Sequence, residues 1–111
     1  MLESLSLDGK SVVITGGGTG LGRAMVRALA RAGADLAIGG RRPGPIQEAV
    51  DEVKALGRDA VAVPTDVTDS GQVNELISSS IQRFGKIDVL INNAGAVQDN
   101  VRKPIWDITD E

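Results

Sequence analysis

The stretch Thr15-Gly16-Gly17-Gly18-Thr19-Gly20-Leu21-Gly22 constrains this chain more than any other. It follows Ser11-Val12-Val13-Ile14, a run that reads as a buried strand. It leads into a segment with apolar residues at Leu21, Ala24, Met25, Ala28, Leu29 and Ala32, the spacing of one buried helix face. The glycines therefore lie on a tight strand-to-helix turn. Lacking a Cβ, glycine reaches positive φ and lets the backbone come close to a ligand. The helix start aims free N–H groups and partial positive charge at the same place, so a phosphate or pyrophosphate is the natural guest.

Spacing separates the chemistries that use such a turn. A phosphate loop of NTPases needs Gly-Lys-Ser/Thr after its four-residue gap. Gly17 and Gly22 supply the gap, but Arg23 and Ala24 follow, so the lysine and the magnesium-binding hydroxyl are missing. The strict G-x-G-x-x-G fingerprint matches in no register. A methyltransferase-like G-x-G-x-G matches at Gly16, Gly18 and Gly20, but that reading expects an acidic residue after the second strand, where the chain has Gly39-Gly40. T-G-x-x-x-G-x-G matches in full on Thr15, Gly16, Gly20 and Gly22. This pattern resembles the cofactor turn of the short-chain dehydrogenase/reductase family.

The rest of the chain alternates strictly. Leu36-Ala37-Ile38 is the second strand, broken by Gly39-Gly40-Arg41-Arg42. Pro43 to Pro45 opens a helix with a buried face of Ile46, Ala49, Val50, Val53 and Leu56, ended by Gly57. Ala60-Val61-Ala62-Val63 is a third strand, apolar throughout as a parallel strand covered on both faces would be. Thr68 or Asp69 caps a third helix, with Gln72 placed to complete a capping box. That helix buries Val73, Leu76, Ile77, Ile81 and Phe84 and ends at Gly85. Ile87 to Ile91 is a fourth strand that delivers Asn92-Asn93-Ala94-Gly95. Thr109-Asp110-Glu111 reads as the cap and first turn of a further helix. Arg23, Arg27 and Arg31, spaced i, i+4, read as a solvated stripe. The order implies an α/β, Rossmann-type doubly wound parallel sheet, strand order 3-2-1-4, with a ligand crevice between the ends of strands 1 and 4.

Composition narrows the classes further. The chain has 111 residues, room for one domain, and a net charge of −3, which offers no basic surface for nucleic acid. No apolar run approaches a membrane span, and the N-terminus lacks a basic-then-apolar signal pattern. Absence of Cys fits a reducing cytosol, so a cytoplasmic location is expected. Absence of His excludes Ser-His triads and His-based metal sites, and no metal is expected. There is also no Tyr.

The resemblance extends from about Leu7 to Glu111 and rests on three motifs in the right order. It implies that Gly16, Gly18, Thr19, Gly20, Leu21 and Gly22 form the cofactor turn. It implies that Asp66 and Val67 contact adenine through a carboxylate and a backbone N–H. Asn92-Asn93-Ala94-Gly95 is similar to the family's N-N-A-G. There one Asn amide ties the strand to its neighbour, and the backbone at Asn93, Ala94 and Gly95 passes the cofactor riboses. The activity implied is hydride transfer between a nicotinamide cofactor and an alcohol or carbonyl compound, of a 3-oxoacyl or a dienoyl-CoA reductase kind. The family's catalytic Ser, Asn, Tyr and Lys lie beyond N-N-A-G, farther along than this chain extends. The expectation is therefore the N-terminal, cofactor-binding part of such an enzyme, incomplete at its C-terminal side and inactive alone. A non-catalytic dinucleotide-binding module is the alternative. The family's full-length members usually form dimers or tetramers. Gly40 stands where NAD-preferring members of the family carry an acid, and Arg41 and Arg42 follow it directly, which implies NADP rather than NAD.

Overall fold

The computed structural model describes residues 6–93, which run β1 (Ser11–Thr15), α1 (Gly20–Arg31), β2 (Asp35–Gly40), α2 (Pro43–Ala55), β3 (Ala60–Pro64), α3 (Ser70–Phe84) and β4 (Val89–Asn92). All pairings are parallel, in the order β3-β2-β1-β4, as the sequence implies. The chain builds outward from β1 to β2 and β3. It then crosses back to lay β4 on the other side of β1. Reversing the direction of travel carries the crossover helix to the opposite sheet face. The two cores follow from period-2 alternation. Val12 and Ile14 join Leu36, Ile38, Val26, Ala30, Ile46, Val50 and Val53 under α1 and α2. Val13 and Ala37 join Leu76 under α3.

The buried seam of α1 is not the predicted one. Gly22, Val26 and Ala30 are buried, and Met25 and Leu29 are partly covered. Leu21, Ala24 and Ala28 face outward, Leu21 with 70 % of its surface exposed. Close approach decides this. A Cβ on Gly22 would stand 1.8 Å from the Gly16 carbonyl oxygen, so the helix meets the turn along its glycine. The seam then continues at i+4 and i+8. α2 buries Ile46, Ala49, Val50 and Val53 as expected, but Leu56 lies beyond the last helical residue and is half exposed. α3 buries Leu76 and Ser80, while Val73, Ile77 and Phe84 are partly covered and Ile81 is exposed. In β3 only Ala60 is fully buried, because β3 is an edge strand with neighbours on one side.

The three helices end at Gly33, Gly57 and Gly85, each at positive φ. Asp69 is the N-cap of α3, its Oδ1 accepting from the N–H of Gly71 at 2.9 Å and of Gln72 at 3.2 Å. Gln72 does not close the box on the Asp69 N–H, which donates instead to the Asp66 carbonyl. Its Oε1 accepts from the Asp66 N–H at 2.8 Å, so the side chain reaches back and orders the turn after β3.

Candidate functional site

β1 and β4 deliver their C-terminal ends side by side at the point where the strand order reverses, the place such sheets bind ligands. Two asparagines fasten that junction. The Thr15 hydroxyl donates to Asn92 Oδ1 at 2.7 Å in a buried bond, and Asn93 Nδ2 donates to the Gly16 carbonyl at 3.3 Å. On the other side of the turn, the Gly16 N–H donates to the Gly39 carbonyl at 2.8 Å, tying the glycine turn to β2.

Between the glycine turn and the tip of β2 lies a cleft of about 190 Å³. Gly16, Gly18 and Thr19 form one wall; Gly40, Arg41, Arg42, Pro45 and Ile46 form the other. The next residues, Gly20, Leu21 and Gly22, are the first turn of α1, whose N–H groups have no intrahelical acceptor. Neither α1 nor α2 carries an acid in its first turn. Arg42 is the N-cap of α2 and makes no capping bond through its side chain. Two exposed guanidinium groups thus stand at the positive end of a helix, an arrangement that favours an anion between them. Gly40, the last residue of β2, lines the cleft. Ile46 Cγ2 stands 2.6 Å from where a Cβ would project there, so the cleft's floor is closed by an aliphatic chain.

Asp66 and Val67 do not line this cleft. They follow β3, and Val67 borders a neighbouring groove of about 550 Å³ on the α3 side, with Thr15, Thr68, Leu90 and Asn92. Asp66 Oδ1 accepts from the Thr68 hydroxyl at 2.7 Å and the Thr68 N–H at 2.9 Å. Those bonds hold its carboxyl below the ordinary aspartate value, and the charge of Arg41 adds to the effect. Ala94 and Gly95 lie outside the described residues.

The sequence reading missed Pro45 and Ile46 as cleft walls; the signal was their place just after the two arginines. It also misassigned two of three helix arginines. Arg23 Nε bonds Glu52 Oε1 at 2.8 Å, and Arg27 Nε bonds Glu52 Oε2. Only Arg31 is left on an exposed face without an ion pair among the described residues. α1 and α2 lie side by side on one sheet face, so their polar rims meet each other rather than water. Among the described residues no cluster of His, Cys, Asp or Glu could hold a metal ion, and no helix is long and apolar enough to cross a membrane.

A doubly wound parallel sheet with a glycine turn at its switch point defines an α/β protein of the Rossmann-like class. The sequence profile of the short chain dehydrogenases matches residues 10–111, and the chain belongs to that family of oxidoreductases, in which use of a nicotinamide cofactor is general. An L-rhamnose 1-dehydrogenase (NAD(P)(+)) of Sphingomonas sp. (strain SKA58) is 43 % identical over 90 residues, 80 % of this chain and 35 % of that protein. The crystal structure of a hydroxysteroid dehydrogenase from Escherichia coli superposes with a TM-score of 0.82 at 33 % identity, covering 96 % of this chain and 46 % of that one. That of a 3-ketoacyl-(acyl-carrier-protein) reductase from Brucella melitensis complexed with NADH gives 0.71 at 32 % identity, covering 77 % and 34 %. The chain spans 35 % to 39 % of the length of the curated relatives it matches first.

Proposed function

We propose that the cleft between the glycine turn and β2 holds the adenosine phosphates of a nicotinamide dinucleotide, NADP in preference to NAD. The whole protein then transfers a hydride between that cofactor and an alcohol or carbonyl substrate, a 3-oxoacyl compound being one class that fits. The observation that carries the choice of cofactor is Arg41 and Arg42 in the cleft wall, with Gly40 in place of an acid. A guanidinium pairs with a phosphate through two charge-assisted hydrogen bonds, and no carboxylate lines the cleft to repel a 2′-phosphate. In this reading Gly16, Gly18, Thr19, Gly20, Leu21 and Gly22 offer backbone to the pyrophosphate. Asp66 and Val67 meet the adenine, and Asn93, Ala94 and Gly95 run along the riboses. The cofactor supplies the hydride. Residues 1–111 carry cofactor binding only, and the proton-transferring Tyr and Lys belong to the remainder of the protein. In the same reading that protein is a cytoplasmic dimer or tetramer.

A second reading is a module that binds a dinucleotide without turnover. A gene that continues in frame to a Y-x-x-x-K decides for the enzyme. Titration calorimetry on the whole protein tests the cofactor. We expect NADP to bind more tightly than NAD by about 1–3 kcal/mol, the scale of hydrogen bonds to a charged group. Arg41→Ala removes most of that advantage and leaves NAD nearly unchanged, and added salt shrinks it. Equal losses for both cofactors, or a wild type that prefers NAD, contradict the assignment.

A further inference from the structure

We infer that Arg23 is a positioning residue that sets the glycine turn for phosphate, held in place by Glu52 of the neighbouring helix. The inference rests on the reading of the cleft as a dinucleotide site. Arg23 sits in the first turn of α1 with its side chain only 20 % exposed, and it doubles back over the turn. Its Nη1 donates to the Gly18 carbonyl at 3.2 Å while Nε donates to Glu52 Oε1 at 2.8 Å. Glu52 is gripped on its second oxygen by Arg27, so the carboxylate that anchors Arg23 is itself fixed. Those bonds, to Arg27 and then Arg23, hold its pKa below the ordinary glutamate value.

Gly18 is caught between this latch and α2. A Cβ on Gly18 would lie 2.9 Å from Pro45 Cβ and 3.2 Å from the Ile46 nitrogen, so its backbone rests on the first turn of α2. The Gly18–Thr19 peptide is trans, and in a trans peptide the C=O and the following N–H point in opposite directions. Arg23 draws the Gly18 carbonyl toward the α1–α2 seam. That turns the Thr19 N–H the other way, toward the cleft Thr19 lines. No protein acceptor takes the Thr19 N–H among the described residues. The latch therefore presents a donor to the pyrophosphate and keeps the carbonyl, which would repel it, turned away. Arg41 and Arg42 act elsewhere, on the 2′-phosphate, so the two sets of arginines are separable by ligand.

The experiment uses the full-length protein and three probes: NADP, NAD and 2′-AMP, which carries the 2′-phosphate but no pyrophosphate. Arg23→Ala raises the Kd of both dinucleotides about tenfold, one charge-assisted hydrogen bond's worth, and leaves 2′-AMP within about twofold. Glu52→Gln, which keeps the acceptor shape and loses the charge, moves both dinucleotides the same way by less. Arg23→Lys falls between, because an ammonium cannot reproduce the fork. Unchanged dinucleotide affinity overturns the latch. So does a parallel loss of 2′-AMP, which would make Arg23 a general support of the cleft. If Arg23→Ala does not fold, Glu52→Gln decides on the same pattern. Failure of the cofactor reading looks different: a wild type that prefers NAD and ignores 2′-AMP sinks NADP, and Arg23 is then judged on NAD against adenosine. A wild type that binds neither dinucleotide overturns both.

Discussion

Gly20 and Gly22 lie two residues apart in one motif and do different work. Gly20 has φ +58°, and a Cβ there would meet nothing within 4 Å. Its requirement is conformational, and Gly20→Ala is expected to cost about 1–2 kcal/mol of left-handed strain. Gly22 has no such φ, but its Cβ would collide with the Gly16 carbonyl oxygen at 1.8 Å and with Asn93 Nδ2 at 2.8 Å. Alanine gains about 1 kcal/mol of helix propensity, and overpacking against fixed backbone takes back about 3, so Gly22→Ala loses about 2 kcal/mol. The losses are similar, but the consequences for binding are not. Gly22→Ala pushes α1 off the turn and breaks the Asn93–Gly16 bond, so dinucleotide affinity falls sharply. Gly20→Ala leaves that bond in place, and affinity falls much less. Urea unfolding paired with cofactor titration on the whole protein separates them; equal losses of affinity would contradict this division of roles.

At the scale of elements, the β1–β4 seam decides whether the glycine turn and the asparagines meet. Thr15 and Asn92 close its upper end. Asp88 closes the lower, Oδ2 accepting from the Ser11 N–H at 2.9 Å and from Lys86 Nζ at 3.0 Å, while the Asp88 N–H donates to the Ser11 carbonyl at 2.8 Å. The Ser11 N–H first, and then Lys86, hold the Asp88 carboxyl below the ordinary aspartate value. A depressed folded-state pKa stabilises fully above the unfolded value, and the benefit fades as pH falls through the folded one. The urea midpoint of wild type should therefore exceed that of Asp88→Asn near neutral pH. The two should converge on acidification below the usual aspartate range. A gap that stays constant with pH would show that the carboxylate's charge is irrelevant to the seam. The seam's existence was legible in the sequence. Apolar runs at Val12-Val13-Ile14 and Val89-Leu90-Ile91 in strict alternation with helices leave few sheet orders open. The glycine turn and the arginine pair were legible too, since each is a short local pattern. The seam of α1 was not: the helix is apolar on more than one stripe, and the residue that chooses between them is a glycine with no hydropathy signal. Arg23 and Glu52 were also illegible as a pair, being joined only when two helices lie on one sheet face.

At the scale of the molecule the two sheet edges differ. β3 ends in Pro64, which has no N–H to offer an incoming strand. β4 pairs only with β1 among the described residues, and its Val89 and Leu90 are 38 % and 44 % exposed. Leu90 also borders the groove on the α3 side, where Val67, Val73 and Ile77 present further apolar surface. An apolar strand edge beside an apolar groove is a template for pairing, and a charged residue on such an edge blunts it. The 111-residue chain prepared alone is therefore expected to self-associate with rising concentration in sedimentation velocity runs, and Leu90→Lys to shift it toward the monomer. Under the proposed division of labour neither form oxidises NADPH in the presence of ketones, because the chain contains no Tyr to exchange the proton. Association and turnover are thus separate readouts. A wild-type chain that stays monomeric at high concentration shows that the β4 edge is already covered. A Leu90→Lys chain that associates as strongly as wild type moves the contact away from β4. Turnover by the chain alone places the proton donor within residues 1–111 and overturns its reading as the cofactor-binding part.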